Sequence, residues 1–224
     1  MVSPTVKSPQ LLTGMRLDAS EFLARWEALP DLKNVELIEG IVYVSSPVGF
    51  THSDLDSSVI AFLRQYANGT PGCQSGNNGT WRMLGSLPQP DSFLRIKEEF
   101  GGSSRIGKEY LEGAPELATE ICTTSARIDF GAKLALYQRA GVQEYITIET
   151  RPKRIVWRRL VKGSYRQIRP DTVGILRSHC FPGLWLDTDA IWADDGKRME
   201  DTLRAGIESD EHRVFVEQLA KPRT

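Results

Sequence analysis

The chain has 224 residues, 40% hydrophobic and 25% charged, with a formal net charge of −1. This supports one sizeable core, or one core plus a tail, and gives no global attraction to nucleic acid or acidic lipid. Its three cysteines, Cys73, Cys122 and Cys180, are widely spaced and form no C-x-x-C pair, so neither a disulfide framework nor a zinc site is expected. "MVSPTVKSPQLLTG" lacks an apolar stretch of signal-peptide length, and no run approaches the roughly 18 apolar residues of a membrane span, so a cytoplasmic location without a membrane partner is expected.

Residues 1–14 read as a flexible lead. Asp18 or Ser20 can cap a helix carrying Phe22, Leu23, Trp26 and Leu29, which Pro30 and Asp31 end. "VELIEGIVYVS" is β-rich, and its Glu39-Gly40 pair marks either a hairpin turn or a kink. Ser53 or Asp54 opens a helix in which Leu55, Val59, Phe62, Leu63 and Tyr66 recur at helical spacing until Asn68-Gly69. "TPGCQSGNNG" reads as loop, "TWRML" and "DSFLRI" as strands, and "GGSSRIG" as a surface connection.

"PELATEIC" is a strand apolar on both faces. "TTSA" then caps a helix that runs to about Ala140 and closes at Gly141. "EYITIE", "RIVWRRLV" and "SYRQIR" are further strands, and residues 193–224 form an acidic, helical tail peripheral to the core. Strands interleaved with helices, including a strand–helix–strand unit from Leu117 to Ile148, indicate an α/β or α+β mixed sheet, with one domain over residues 15–192.

Glycine-rich nucleotide loops, H-E-x-x-H and G-x-S-x-G are all absent. The sequence instead places Glu120 in the middle of a buried strand, where an ionised carboxylate costs several kcal/mol unless a cation, hydrogen-bond donors or a shifted pKa compensates. Asp91 opens the strand one loop earlier; by turn preference alone it reads as a capping acid. If the two carboxylates converge, their repulsion raises one pKa unless a cation lies between them, and Mg²⁺ or Mn²⁺ suits such hard oxygen donors. Lys133 lies thirteen residues after Glu120 on the next helix, with Asp129 and Tyr137 one turn before and after it. An Asp129–Lys133 surface pair is the plain alternative. His52, next to Ser53 and Asp54, reads as a helix-start residue beside a cap.

"VELIEG", "QPDSFLRI" and "PELATEICTTSARIDFGAKLALYQRAGVQEYITIE" together resemble the Uma-type endonucleases, a branch of the PD-(D/E)XK nuclease superfamily with the restriction-endonuclease-like fold. The likeness spans roughly residues 15–190 and is most specific from Glu120 through Asp129, Lys133, Tyr137 and Gly141-Val142 to Glu144-Tyr145. It implies that Asp91 and Glu120 are the metal-binding acids and that Glu36 is an additional acid at the site. The superfamily usually has lysine two residues after the acid; here that position is Cys122, so Lys133 becomes the candidate for the displaced lysine.

The resulting expectation is an Mg²⁺- or Mn²⁺-dependent endodeoxyribonuclease. Asp91, Glu120 and the Ile121 carbonyl hold the ion, Lys133 orients and activates the water, and Glu36 binds a second ion or orients a water. DNA is the expected partner, and a homodimer follows from the resemblance alone. Residues 151–169, with eight lysines and arginines and no acid, are either a phosphate track or the solvated face of a meander. Two alternatives carry less: a nuclease-fold module that binds DNA or protein without cleaving, motivated by Cys122, and a serine hydrolase built on Ser53 or Ser103.

Overall fold

The structure, a computed structural model, describes residues 10–123 and 126–221. Asp18 accepts a hydrogen bond from Glu21 N at 2.9 Å and starts α1 (Ala19–Glu27), which buries Phe22 and Leu23. The strands β1 (Val35–Ile38) and β2 (Ile41–Val44) pair antiparallel. Glu39 and Gly40, at φ 53° and 76°, form the tight turn between them, so the hairpin alternative is the one realised. The chain joins the fold before residue 15. Leu11 is buried, and Gly14 N donates to Val42 O at 2.8 Å; residues 1–9 lie outside the described segments.

Helix α2 (Phe50–Gly69) starts earlier than expected. Its N-cap is Gly49, without a side-chain cap bond, so neither Ser53 nor Asp54 caps it. The stretch read as loop contains β3 (Cys73–Asn77), followed by the short β4 (Trp81–Arg82) and by β5 (Ser92–Ile96). Further along lie β6 (Arg105–Ile106), β7 (Leu111–Glu112) and β8 (Leu117–Cys122). The expected single helix is divided into α3 (Ala126–Asp129) and α4 (Ala132–Ala140). At the break, a Cβ on Gly131 would stand 2.6 Å from Arg127 O, so only glycine allows that approach. The "TTSA" cap falls on residues 124 and 125, outside the described segments. After β9 (Glu144–Glu149), β10 (Arg154–Val161) and β11 (Ser164–Gln167) come β12 (Ile175–Arg177) and β13 (Trp185–Asp187), and then α5 (Thr188–Ala193), α6 (Gly196–Ile207) and α7 (Asp210–Leu219).

The main sheet has the order β11-β10-β9-β8-β5-β3. Only β8 and β9 are parallel, joined by the crossover through α3 and α4. Leu117 and Ile121 point to the face covered by α2, together with Leu63, Ile148 and Trp157. Ala118 points to the opposite face, where Leu136 and Tyr137 of α4 pack with Phe93 and Tyr145. The C-terminal helices are less peripheral than expected, since Leu203 of α6 and Leu219 of α7 join the core on the α2 side. His212 Nε2 also lies 2.9 Å from Thr70 Oγ1, against α2. Among the described residues no helix is long and apolar enough to cross a membrane.

A second buried carboxylate locks the end of β9. Glu144 accepts from Trp157 Nε1 at 2.9 Å, Ser178 Oγ at 2.8 Å, His179 N at 2.7 Å and Cys180 N at 3.0 Å. Glu144→Ala strands those donors, and at 1–3 kcal/mol for a buried unsatisfied group a loss of about 3 kcal/mol is expected in urea unfolding, against a smaller loss for Glu144→Gln.

Candidate active site

The site lies on the α4 face of the sheet at the interior strands β5 and β8, where β1 also reaches it. Antiparallel pairing sets Ser92 against Thr119 and Phe93 against Ala118, so one step further along the ladder Asp91 stands across from Glu120. Asp91 Oδ2 accepts a hydrogen bond from Ile121 N at 2.6 Å, which fixes the acid against the end of β8. Glu36 arrives from β1, held because Leu37 exchanges backbone hydrogen bonds with Leu87, while Gln89 N donates to Glu36 Oε1 at 2.6 Å.

Lys133 projects from α4 into this group. Its Nζ is 2.9 Å from Glu120 Oε1, 2.9 Å from Glu36 Oε1 and 4.0 Å from Asp129 Oδ1. Tyr137, one turn on, donates its hydroxyl to the same Glu120 Oε1 at 2.9 Å. Lys133 and Glu120 are each under 5% exposed, so the surface Asp129–Lys133 pair considered from the sequence is in fact interior. Asp129 is pinned from below, where its backbone carbonyl accepts from Tyr145 OH at 3.0 Å.

Glu36, Asp91, Glu120 and Asp129 surround one ammonium. Burial raises the Glu120 pKa well above its ordinary value, Lys133 lowers it, and Asp91, Asp129 and Glu36 push it up again. Glu36 is likewise raised, first by burial. For Lys133, burial favours the neutral amine, but Glu120, Glu36, Asp129 and Asp91 together outweigh it and hold the pKa well above the ordinary lysine range. Lys133 is therefore an ammonium throughout the neutral range. There it donates to Glu120 and neutralises the carboxylates around it.

His52 was missed as a site residue. Because α2 begins at Phe50, its first turn carries His52 to Asp91, with Nε2 3.5 Å from Oδ1. That contact, opposed by burial, raises the His52 pKa. On the next turn Asp56 Oδ1 accepts from Ser92 Oγ at 3.3 Å. The helical spacing of His52 and Asp56 was visible in the sequence, but their approach to Asp91 depends on the α2 start and on long-range packing. Cys122, in the usual lysine position, is buried, and burial pushes its thiol pKa up. Ser103 Oγ lies against Glu116 Oε1 at 2.9 Å and Ala114 O at 3.0 Å. With its hydroxyl so engaged, it does not present the nucleophile–base pair of a serine hydrolase.

The donor set fits a hard divalent cation. Asp91 and Glu120 offer carboxylate oxygens from facing strand ends. Both hydrogen bonds to Glu120 end on Oε1, and among the described residues none ends on Oε2. No group of three or more His, Cys, Asp and Glu disposed to hold a metal occurs among the described residues.

The chain matches, over residues 19–189, the family described as "Uma2: Putative restriction endonuclease", and it belongs to that family. A protein from Anabaena variabilis, described as "a putative nuclease belonging to DUF820", has a crystal structure that superposes with a TM-score of 0.61 at 15% identity, covering 79% of this chain and 98% of its own. At that identity the likeness shows the fold, a six-stranded mixed sheet flanked by helices. No curated protein matches.

Lys133→Met removes the cation shared by three acids. A broken buried pair costs about 3 to 5 kcal/mol, so the melting temperature at pH 8 should fall well below that of the parent. Carboxyls whose folded pKa lies above the unfolded value contribute stability below the unfolded value and lose it as pH rises through the folded one. The Lys133→Met deficit should therefore shrink as pH is lowered from 8 to 5. The wild type, with a raised lysine pKa, should lose the Lys133 contribution only in alkali above the ordinary lysine value. Differential scanning calorimetry across that range checks both signs.

Proposed function

We propose that this protein is a divalent-metal-dependent endonuclease that hydrolyses phosphodiester bonds in DNA. The single observation that carries the reading is the grouping of Glu36 and Glu120 about Lys133, with Asp91 hydrogen-bonded to Ile121 N beside them. Asp91, Glu120 and the carbonyl of Ile121 would hold Mg²⁺ or Mn²⁺. When bound there, the ion supplies Lewis-acid charge against a phosphoryl oxygen and lowers the pKa of a coordinated water.

The chain's own residues do the positioning. Ile121 N and His52 hold the two oxygens of Asp91. Lys133 and Tyr137 both meet Glu120 Oε1, so the carboxylate cannot swing away from the strand end. Glu36 is anchored through Oε1 by Gln89 N and Lys133 and offers Oε2 to orient a water. The Lys133 ammonium stands ready to stabilise negative charge that develops during the reaction.

The non-cleaving alternative rested on Cys122 in the lysine position. Lys133 Nζ, 2.9 Å from Glu120, supplies from α4 the charge that Cys122 lacks, which favours the enzyme. The test is plasmid DNA with Mg²⁺ or Mn²⁺. Nicking or linearisation is expected, abolished by EDTA and reduced at least a hundredfold in Asp91→Ala and Glu120→Gln, since charge-stabilising groups of this kind contribute about 10² to 10³ in rate. DNA binding without cleavage in either metal would restore the inactive-module reading.

A further inference from the structure

Strand alternation divides the basic segment 151–169. Arg159 stands opposite Arg166 on one face of the β10–β11 ladder, whereas Arg154 and Arg158 point to the other, the face that also carries Ala118 and Glu120. The segment is therefore not one phosphate track. On the site face, Arg154 is neutralised by an ion pair with Glu149. Arg158 is different. It forms no ion pair with any carboxylate among the described residues, although the four-acid cluster lies on the same side of the sheet.

Its guanidinium is nevertheless held in place. Nη1 donates to Thr147 Oγ1 at 3.0 Å, and the group lies 5.0 Å from the centre of the Phe130 ring and 6.0 Å from that of Tyr145. Thr147 is the residue directly across from Glu120 on the neighbouring parallel strand, so ~4.8 Å of sheet separates the two backbones. Phe130 occupies the break between α3 and α4, and that break is what brings its ring over the arginine. A positioned guanidinium with spare N–H donors, half out of water, matches the bidentate geometry of a phosphate. Burial disfavours its charge and lowers its pKa, a cost that an incoming anion would relieve.

We propose that Arg158 is a nucleic-acid phosphate-binding residue, clamping a backbone phosphate that flanks the bond placed at Asp91 and Glu120. The inference rests on the nuclease reading for what lies beside it, but its test does not require cleavage. It assigns to Arg158 substrate binding and register, with Phe130, Tyr145 and Thr147 as the residues that position it.

The measurement is fluorescence anisotropy of a labelled duplex oligonucleotide, with Ca²⁺ in place of Mg²⁺, titrated at several salt concentrations. Arg158→Gln, which keeps length and polarity but removes charge, should bind about tenfold more weakly, and the slope of log K against log salt should become shallower by roughly one. Arg158→Lys should retain the slope while losing part of the affinity, because it keeps the charge without the fork. Matching melting temperatures for the lysine variant and the parent guard against a folding artefact. Equal affinity and equal salt slope in wild type and Arg158→Gln would overturn the proposal, as would absence of oligonucleotide binding by the wild type. Binding that depends on Arg158 in a wild type that cleaves nothing would leave the phosphate clamp standing and remove the nuclease reading; cleavage without that dependence would do the reverse.

Discussion

One ammonium group, Lys133 Nζ, joins β1, β8 and α4 at a point with almost no access to water. Taking a charge into such a place costs several kcal/mol, and two short contacts to carboxylates at 2.9 Å are the return. Three acids around one base overshoot neutrality, and Asp91 at the strand end adds a fourth. These acids sustain the high lysine pKa, and they are the groups that would hold the proposed divalent cation.

The lysine's path to this point explains the cysteine. In a strand, the residue two places after Glu120 points to the same face, and there Cys122 is buried beside Asp129. The required charge comes from α4 instead. That works because Gly131 interrupts the helix and lets α4 run back over the sheet, bringing Lys133 and Tyr137, four residues apart, together on Glu120. The break also presents Phe130 to Arg158, so one glycine shapes both the acid cluster and its basic neighbour.

Much of this was legible in the sequence. The unbroken apolar character around Glu120 signalled a central strand, Asp18 is the one of the two candidate caps that starts α1, and the meeting of Lys133 with Glu120 was implied by the family resemblance rather than by spacing. What failed did so for physical reasons. "CQSGN" has little intrinsic strand preference, and β3 exists because β5 offers it a ladder, from Cys73 against Ile96 to Asn77 against Ser92. The α2 start was misplaced because serine and aspartate caps outrank glycine in the rules, yet Gly49 caps it. His52 therefore read as a bland helix-start residue, whereas its meeting with Asp91 spans 39 positions of sequence. The basic run looked continuous because composition ignores alternation; only pairing with β9 and β11 shows which arginines share the face of Glu120. The tail read as peripheral from its charge, while Leu203 and Leu219 are core residues.

The carboxylates gathered at this point are proposed to take up a divalent ion. Crystals grown with an oligonucleotide and soaked in Mn²⁺ test it most directly, through anomalous scattering. A peak beside Asp91 and Glu120 is expected, with Lys133 still on Glu120 Oε1. Manganese bound elsewhere, with Asp91 and Glu120 unliganded beside an ordered phosphate, would contradict it.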